Sequence, residues 1–475
     1  MRASYCCLAE IRMTENRENY SNVCEIGIVW ITLRCEQYGR TMIEKPPHTR
    51  VLTLSADDFR LSKVSADCVN RLLDEYAYWS DVKYKRVPGF PDPAELWSLI
   101  KAMRKAREID VCAPFGLHFS MTNRMAELCH EFDMKFGGSW GSESLLPRDS
   151  KQRFLAGSVM EEAISSSQME GASTTRRVAK EMLRKNVAPR DKSQQMIYNN
   201  YQTIRYLSAH TAEPLTEELI LKIHSLMTDS TLDNAEDCGR FRVNDEVVVE
   251  NAVTHEVVHT PPHHSEIRQA IGWLVRFANG EVPGVFIHPV IKAVVIHFFI
   301  SYLHPFADGN GRTARALFHW YMLREGYWLT EYMSISRIIY SSKSAYEKSF
   351  LRAEADGNDM GYFITYHINA LDRAFGELKE YVTRKTAQRS EQNRLLRLGN
   401  VTQRQAEIIS MMLEDADKVL TVKDVSSRML VTATTAKRDI MGLVEQGLLE
   451  EIALNRQKKG YVRGPKFEER VEGVL

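Results

Sequence analysis

The chain has 475 residues, 62 basic against 62 acidic, and a hydrophobic share of 44%. That length exceeds what one core holds, so two or three domains are expected. Balanced charge excludes a global field that draws in nucleic acid, membrane surfaces or acidic substrates, and no apolar run reaches the 18 residues a bilayer span needs, so no membrane partner is expected.

The opening "MRASYCCLAEIRMTENRENY" lacks the short apolar core of a secretory leader, which sets the expectation of a cytoplasmic protein. Cys6, Cys7, Cys24 and Cys35 crowd the start, and the cysteine spacing fits neither a disulfide framework nor a CxxC zinc site. Reduced thiols are the economical reading. "IGIVWITLR" (26–34) has strand composition without a partner nearby. Residues 1–41 are therefore expected to be a non-native or disordered extension upstream of a functional start at Met42. Residues 42–150 read as a mostly helical region: a short β-like piece at 50–54, then "PAELWSLIKAMRKAREI", with Pro91 and Pro93 marking its start. "FGGSWGS" and "LLPRDS" are loop chemistry.

From 150 to 210 the spacing of apolar residues is helical. Within it, "SSSQMEG" (165–171) puts Ser166 and Glu170 four apart on one helix face, with Gly171 next. As a bare string it describes a solvated face. "LTEELILKIHSLMTD" (215–229) is amphipathic, with Thr216 a fitting N-cap. Then "FRVNDEVVVENAVTHEVVHTPPHH" (241–264) sets β-branched clusters either side of "NAVTHE" and closes on Pro261–Pro262, the pattern of a hairpin over 247–260 inserted in a helical domain. His255, His259, His263 and His264 lie nearby, but no HExxH or Cys/His spacing supports a metal, and they are read as non-ligands. Helices are predicted over 264–279, 289–303, 313–325, 341–355 and 360–384.

Between the apolar "VVIHFFISYL" and the amphipathic "ALFHWYML" stands "HPFADGNGRTAR" (304–315). A plain interhelical turn needs only a glycine and a polar residue or two. This string carries more. His304, at the end of a buried helix, is suited to act as a general base. Asp308 is a hard oxygen donor of the sort Mg²⁺ takes beside phosphates. Gly309, Asn310 and Gly311 precede a helix start at about Arg312, where backbone N–H groups converge on an anion. Arg312 and Arg315 project from the first turn, two guanidinium forks beside that nest. Base, metal ligand, phosphate nest and two arginines describe nucleotide-dependent transfer to a hydroxyl.

Past a polar, basic stretch read as linker or helix tail (386–400), residues 401–465 run helix, helix, short turn, helix, β-pair, the order of a winged helix-turn-helix. Thr434, Thr435, Lys437 and Arg438 start its third helix, and Arg456, Lys458, Lys459 and Arg463 flank the wing. Residues 431–464 hold six basic and four acidic side chains, so DNA binding and protein contact, including a homo-oligomer, both stay open.

"HPFADGNGRTAR" resembles the signature of Fic-domain proteins, HPFx(D/E)GNGRxxR, at every fixed position, and the likeness spreads over roughly 150–385. The fold it implies is mainly α: a Fic helical-bundle core over 151–385 with a β-hairpin flap, ahead of the small C-terminal winged-helix domain. The activity it implies is transfer of AMP from ATP to a Tyr, Ser or Thr hydroxyl of a target protein bound along the flap. His304 would be the base, Asp308 the Mg²⁺ ligand, Gly309, Asn310 and Gly311 the anion hole, and Arg312 and Arg315 the holders of the β- and γ-phosphates. Phe306 would pack beneath the loop. Tyr340, Tyr346 and Asn369 lie where the family builds its adenine pocket. S-x-x-x-E-G at Ser166, Glu170 and Gly171 resembles the family's inhibitory motif, in which Glu170 would pair with Arg315 and displace the γ-phosphate. Removal of AMP, use of another phosphate donor, and a DNA-binding regulator with the Fic core as nucleotide sensor are the alternatives.

Overall fold

In a computed structural model of the chain, the apolar run ahead of the signature forms a helix with no polar face. The structure describes residues 43–49, 63–137, 151–251, 254–282, 284, 286–396, 401–413, 415, 417–429, 431–455 and 458–472. The expected extension over 1–41, the strand-like 26–34 and 50–54, and most of the loop before 151 lie outside them. The described chain is mainly helical, and its strands form three separate two-stranded antiparallel pairs.

The N-terminal part holds α1 (Lys63–Asp74), α2 (Pro93–Lys105), the pair β1 (Glu108–Cys112) and β2 (Leu117–Ser120), and α3 (Asn123–Phe132). Asp92 caps α2 by accepting from the Ala94 amide, with Pro93 at its first position. The predicted helix thus ends at Lys105, and its last residues turn into strand. The core proper begins with α4 (Lys151–Met169), α5 (Arg176–Lys185), α6 (Lys192–Ala209) and α7 (Glu217–Thr228). Thr216 caps α7 through the Leu219 amide. The flap follows as β3 (Val249–Glu250) and β4 (Val257–His259), then α8 (Ile267–Ala278), α9 (Pro289–Leu303) and α10 (Asn310–Arg324). The core closes with α11 (Ile335–Ser341), α12 (Lys343–Ala355) and the long α13 (Gly361–Leu396).

Helix α9 is apolar all round and central: Val290, Ile291, residues 293–300 and Leu303 are all buried. Each fully buried Phe or Leu there contributes about 1.5–3 kcal/mol. Phe298 meets Phe350 and Phe363, from α12 and α13, at 5.3 and 5.2 Å between centroids. That packing holds the end of α9, and with it His304, against a rigid wall.

The N-terminal part docks on this core. Val111, Leu117, Phe119, Leu128 and Phe132 belong to the same hydrophobic cluster as α9. The Tyr76 hydroxyl donates to Asp359 at 2.5 Å, Arg104 donates to the Tyr362 hydroxyl at 2.8 Å, and the Met360 amide donates to the His118 carbonyl at 2.8 Å. The Tyr76 ring lies so close to Gly361 that any side chain there would collide with it.

Helix α13 continues through the basic stretch to Leu396, so of the two readings of that segment a helix tail describes 386–396. Beyond it a separate cluster, from Leu395 to Val471, gathers α14 (Gln403–Leu413), α15 (Val422–Met429), α16 (Ala433–Glu445), β5 (Leu449–Ala453), β6 (Lys459–Arg463) and α17 (Phe467–Glu472). Among the described residues no helix is long and apolar enough to cross a membrane.

Candidate active site

The signature loop joins α9 to α10 through two left-handed residues, His304 at φ +47° and Gly309 at φ +85°. His304 ends α9 because its amide still reaches the Ile300 carbonyl while its own backbone turns the chain aside. Gly309 supplies the second reversal, which costs a residue with a Cβ about 1–2 kcal/mol. A Cβ there would also lie 2.6 Å from Thr228 Cγ2. Gly309→Ala is therefore expected to lower stability by about 1–3 kcal/mol; an unchanged thermal unfolding midpoint would contradict this account of the loop.

Asn310 closes the loop on itself: its Oδ1 accepts from the Phe306 amide at 3.0 Å and its Nδ2 donates to the Phe306 carbonyl at 2.9 Å. Helix α10 begins at Asn310, two residues before the expected start, because Gly309 serves as its N-cap. Its first intrahelical hydrogen bond runs from the Thr313 amide to the Gly309 carbonyl, so the amides of 310, 311 and 312 form an anion-attracting end.

On His304, Nδ1 lies 2.8 Å from the Ser301 carbonyl and so carries the proton, leaving the Nε2 lone pair open. Burial, more than the neighbouring cations, pushes its pKa below the ordinary imidazole value. At neutral pH it is a free base.

Glu170 does not extend α4, which stops at Met169. The Ala172 amide reaches back to the Ser167 carbonyl at 3.0 Å, and Gly171 takes φ +89°. Gly171 is thus the left-handed cap that a helix end favours. A carboxylate at a helix C-terminus is electrostatically misplaced, but this one faces the N-terminus of α10. The Arg315 Nη2 donates to Glu170 Oε1 at 2.8 Å, while its Nε and Nη2 donate to the Ser166 hydroxyl and carbonyl, both at 2.9 Å. A Cβ on Gly311 would sit 3.0 Å from the Glu170 carboxyl carbon and 3.1 Å from Arg315 Nη1, so the carboxylate lies over the first turn of α10. Against the upward push of burial, Arg315 and then Arg312 hold Glu170 below the ordinary carboxylate range, which keeps it ionised. "SSSQMEG" is not a solvated face: Ser165, Ser166 and Ser167 are buried.

The two arginines differ. Arg312 is buried beneath the loop, with Nη1 donating to the Met227 carbonyl at 3.1 Å and Nη2 3.7 Å from Asp308 Oδ2. Its position is that of a support under the loop. Asp308 projects outward with 57% of its side chain exposed, and its Oδ1 accepts from the Gly309 amide at 2.5 Å. An exposed carboxylate beside an anion-attracting helix end fits the donor chemistry of Mg²⁺ with phosphate.

Two residues without a mark in the sequence, His224 and Arg242, complete the loop's support. His224 stacks on buried Phe306 at 3.8 Å, its Nε2 donates to the Asp308 carbonyl at 2.8 Å, and its Nδ1 accepts from the Gly239 amide at 3.0 Å. Burial lowers its pKa to about 4, so it stays neutral in that role. Arg242 Nε donates to the His304 carbonyl at 2.9 Å and its amide donates to the Pro305 carbonyl at 2.9 Å. Tyr346 is buried under Arg315 and hydrogen-bonds His297 at 3.0 Å, whereas Tyr340 and Asn369 are exposed. His259 pins the flap: Nδ1 is 2.9 Å from Glu354 and Nε2 2.7 Å from the Tyr302 carbonyl.

In the C-terminal unit, Thr434, Lys437 and Arg438 are exposed at the start of α16. The expected wing is less available. Arg463 donates to the Met412 carbonyl at 2.7 Å and to Glu468 at 2.6 Å, Lys459 pairs with Glu451 at 2.5 Å, and Arg456 lies outside the described residues.

This combination of helix-capped loop, base and paired arginine defines a class: residues 214–322 match the Fic/DOC family, and the chain carries a Fic domain. A protein adenylyltransferase Fic of Drosophila melanogaster is 36% identical over 69 residues, which is 14% of this chain and 14% of the relative. One of Nematostella vectensis is 26% identical over 129 residues, 26% of this chain and 28% of the relative. The alignments thus span between 14% and 28% of these relatives' lengths. Among solved structures, a Fic family protein from Desulfovibrio desulfuricans has a TM-score of 0.47 at 18% identity, covering 73% of this chain and 98% of that one.

Proposed function

We propose that the chain is a protein adenylyltransferase that moves AMP from ATP to a side-chain hydroxyl of a target protein, held in check by Glu170. The observation that carries this reading is the carboxylate of Glu170 seated over Gly311 and on Arg315. The cradle already accommodates an anion, and a neutral imidazole stands at its edge.

In the reaction, His304 Nε2 takes the proton of the target hydroxyl as its oxygen bonds to the α-phosphorus. The bond from that phosphorus to the bridging oxygen breaks, and diphosphate leaves with the electron pair. The amides at the start of α10 and the Arg315 guanidinium stabilise phosphate charge. Asp308 would hold Mg²⁺, which supplies further charge neutralisation when bound. Arg242 and His224 fix the loop, and β3 and β4 offer backbone for an extended target segment to pair with.

Incubating the chain with ATP labelled on its α-phosphate and finding an AMP mass shift on a hydroxyl residue tests the reading; a shift absent from the chain, its Glu170→Gly form and every lysate protein would overturn it. Because the His304 pKa lies below 6.5, the base form is already dominant at pH 7. Transfer is expected to be flat from about pH 7 to 8 and to fall as pH drops through the lowered imidazole value. A pH–rate profile that rises steeply above pH 7.5 would contradict this assignment.

We further read the C-terminal unit as a winged helix that contacts DNA or protein through α16. Exposed Thr434, Lys437 and Arg438 support it, and a gel shift that weakens with added salt would favour DNA.

A further inference from the structure

Besides the transfer site, the base of the flap gathers a second set of chemical groups. Asp245 lies on the leg leading into the hairpin, and His263 and His264 lie on the leg returning from it, just after Pro261–Pro262. Among the described residues, this is the one group of three or more His, Cys, Asp or Glu side chains whose donor atoms all fall within 4.8 Å of one another. Asp245 Oδ2 is 2.9 Å from both His263 Nε2 and His264 Nδ1.

We propose that Asp245, His263 and His264 form a site for one divalent transition-metal ion of the Zn²⁺ type, which staples the two legs of the flap. The donor set selects the metal class. Two imidazole nitrogens with one carboxylate oxygen suit Zn²⁺, whereas Ca²⁺ and Mg²⁺ take oxygen ligands. Geometry is close to what such an ion requires. Metal–ligand bonds of about 2.1 Å set donors roughly 3.4 Å apart around a tetrahedral centre, so Oδ2 and each nitrogen need to part by about half an ångström. The three side chains are between 34% and 57% exposed, so they have room for that adjustment and leave a fourth position to water.

The surrounding contacts prepare the ligands. Asp245 Oδ1 accepts from Arg242 Nη1 and from the His264 amide, both at 2.7 Å, which fixes the carboxylate and leaves Oδ2 to face the imidazoles. His264, and beside it Arg242, hold the carboxyl well below the ordinary range, so the oxygen is ionised. His263 Nδ1 lies 2.8 Å from Ser265 Oγ. That nitrogen now accepts from the Ser265 amide at 3.3 Å; with Nε2 on a metal, the ring proton moves to Nδ1, which gives up this long contact and donates to the hydroxyl, the outer partner that metal-bound imidazoles keep. The plain alternative is one carboxylate shared by two imidazole N–H groups with no ion, and it predicts no metal affinity.

Arg242 gives the site its reach. The guanidinium that touches Asp245 Oδ1 also donates to the carbonyls of Asn244, Pro262 and His304. An ion on Oδ2 would stiffen the flap's two legs and, through Arg242, the backbone of the base.

The test is Zn²⁺ titration of the untagged full chain by calorimetry against a competing chelator, with native mass spectrometry for stoichiometry. The wild-type chain is expected to take one more Zn²⁺ than a His263→Ala/His264→Ala variant. Ser265→Ala is expected to weaken that ion by roughly 10-fold. Zn²⁺ should raise the thermal unfolding midpoint more in the wild type than in the double variant. Both histidines are surface residues, and equal midpoints without metal would show the variant folded. Any Zn²⁺ bound by cysteines elsewhere cancels in the difference. Identical stoichiometry and affinity in wild type and double variant would overturn the proposal, as would binding of Ca²⁺ in preference to Zn²⁺.

Discussion

Exchanging Glu170 for Gly is expected to raise self-labelling from α-labelled ATP by about 10- to 100-fold. A charge-assisted hydrogen bond contributes roughly 1.5–3 kcal/mol, and each 1.36 kcal/mol is tenfold in rate or affinity. With 33% of the Glu170 side chain exposed, solvent screening favours the lower end of that range. The gain comes from freeing Arg315 and uncovering Gly311. The fold should survive, because Arg315 keeps both of its hydrogen bonds to Ser166. Glu170→Gln, which keeps the shape and removes the charge, should fall between the two. Label incorporation per minute on the purified chain is the measurement. Equal rates for wild type and Glu170→Gly would remove the inhibitory role from the account.

In that released form, His304→Ala is expected to cut transfer by about 10²- to 10⁴-fold, the range for loss of a positioned general base. ATP affinity should hold, since in the proposed reaction the imidazole serves the incoming hydroxyl while Arg315 and the start of α10 take the phosphates. The left-handed backbone at position 304 is unchanged by the substitution. Loss of the hydrogen bond to the Ser301 carbonyl costs at most about 1.5 kcal/mol. Transfer that persists at the parent rate would assign the base elsewhere. A parallel loss of ATP binding would make His304 a structural residue.

The grouping of residues 304–315 was legible in the sequence because all of its polar groups fall at one junction between two apolar helices. Element boundaries there were less so. A helix beginning at Asn310 rather than Arg312 depends on Gly309 accepting φ +85°, which propensity does not register. Glu170 was visible only through a family resemblance. On its own the string "SSSQMEG" has the look of a solvated face, and the burial of its serines comes from α6 packing against it, with Ser167 donating to the Met196 carbonyl. His224 and Arg242 left no sequence signal, being single polar residues whose contacts to the signature loop are to backbone carbonyls far along the chain. The pair β1–β2 was missed for a related reason. "EIDVC" follows a helix without any breaker before Pro114, and it forms a strand because it pairs with β2, whose His118 in turn hydrogen-bonds the segment before α13. The grouping of His263 and His264 with Asp245 was invisible to local spacing, because Asp245 stands across the base of the flap.

Helix α13 runs unbroken from the core to the C-terminal unit. Phe363 packs on Phe298 in the half of α9 that leads to His304, and Leu395, on the same unbroken helix, is the first residue of the C-terminal cluster. At 1.5 Å of rise per residue, the two points stand roughly 50 Å apart along the axis. The helix is a measuring rod. Under the proposed transfer, a target gripped by the C-terminal unit would have to bridge the span that α13 sets, or be presented by another copy.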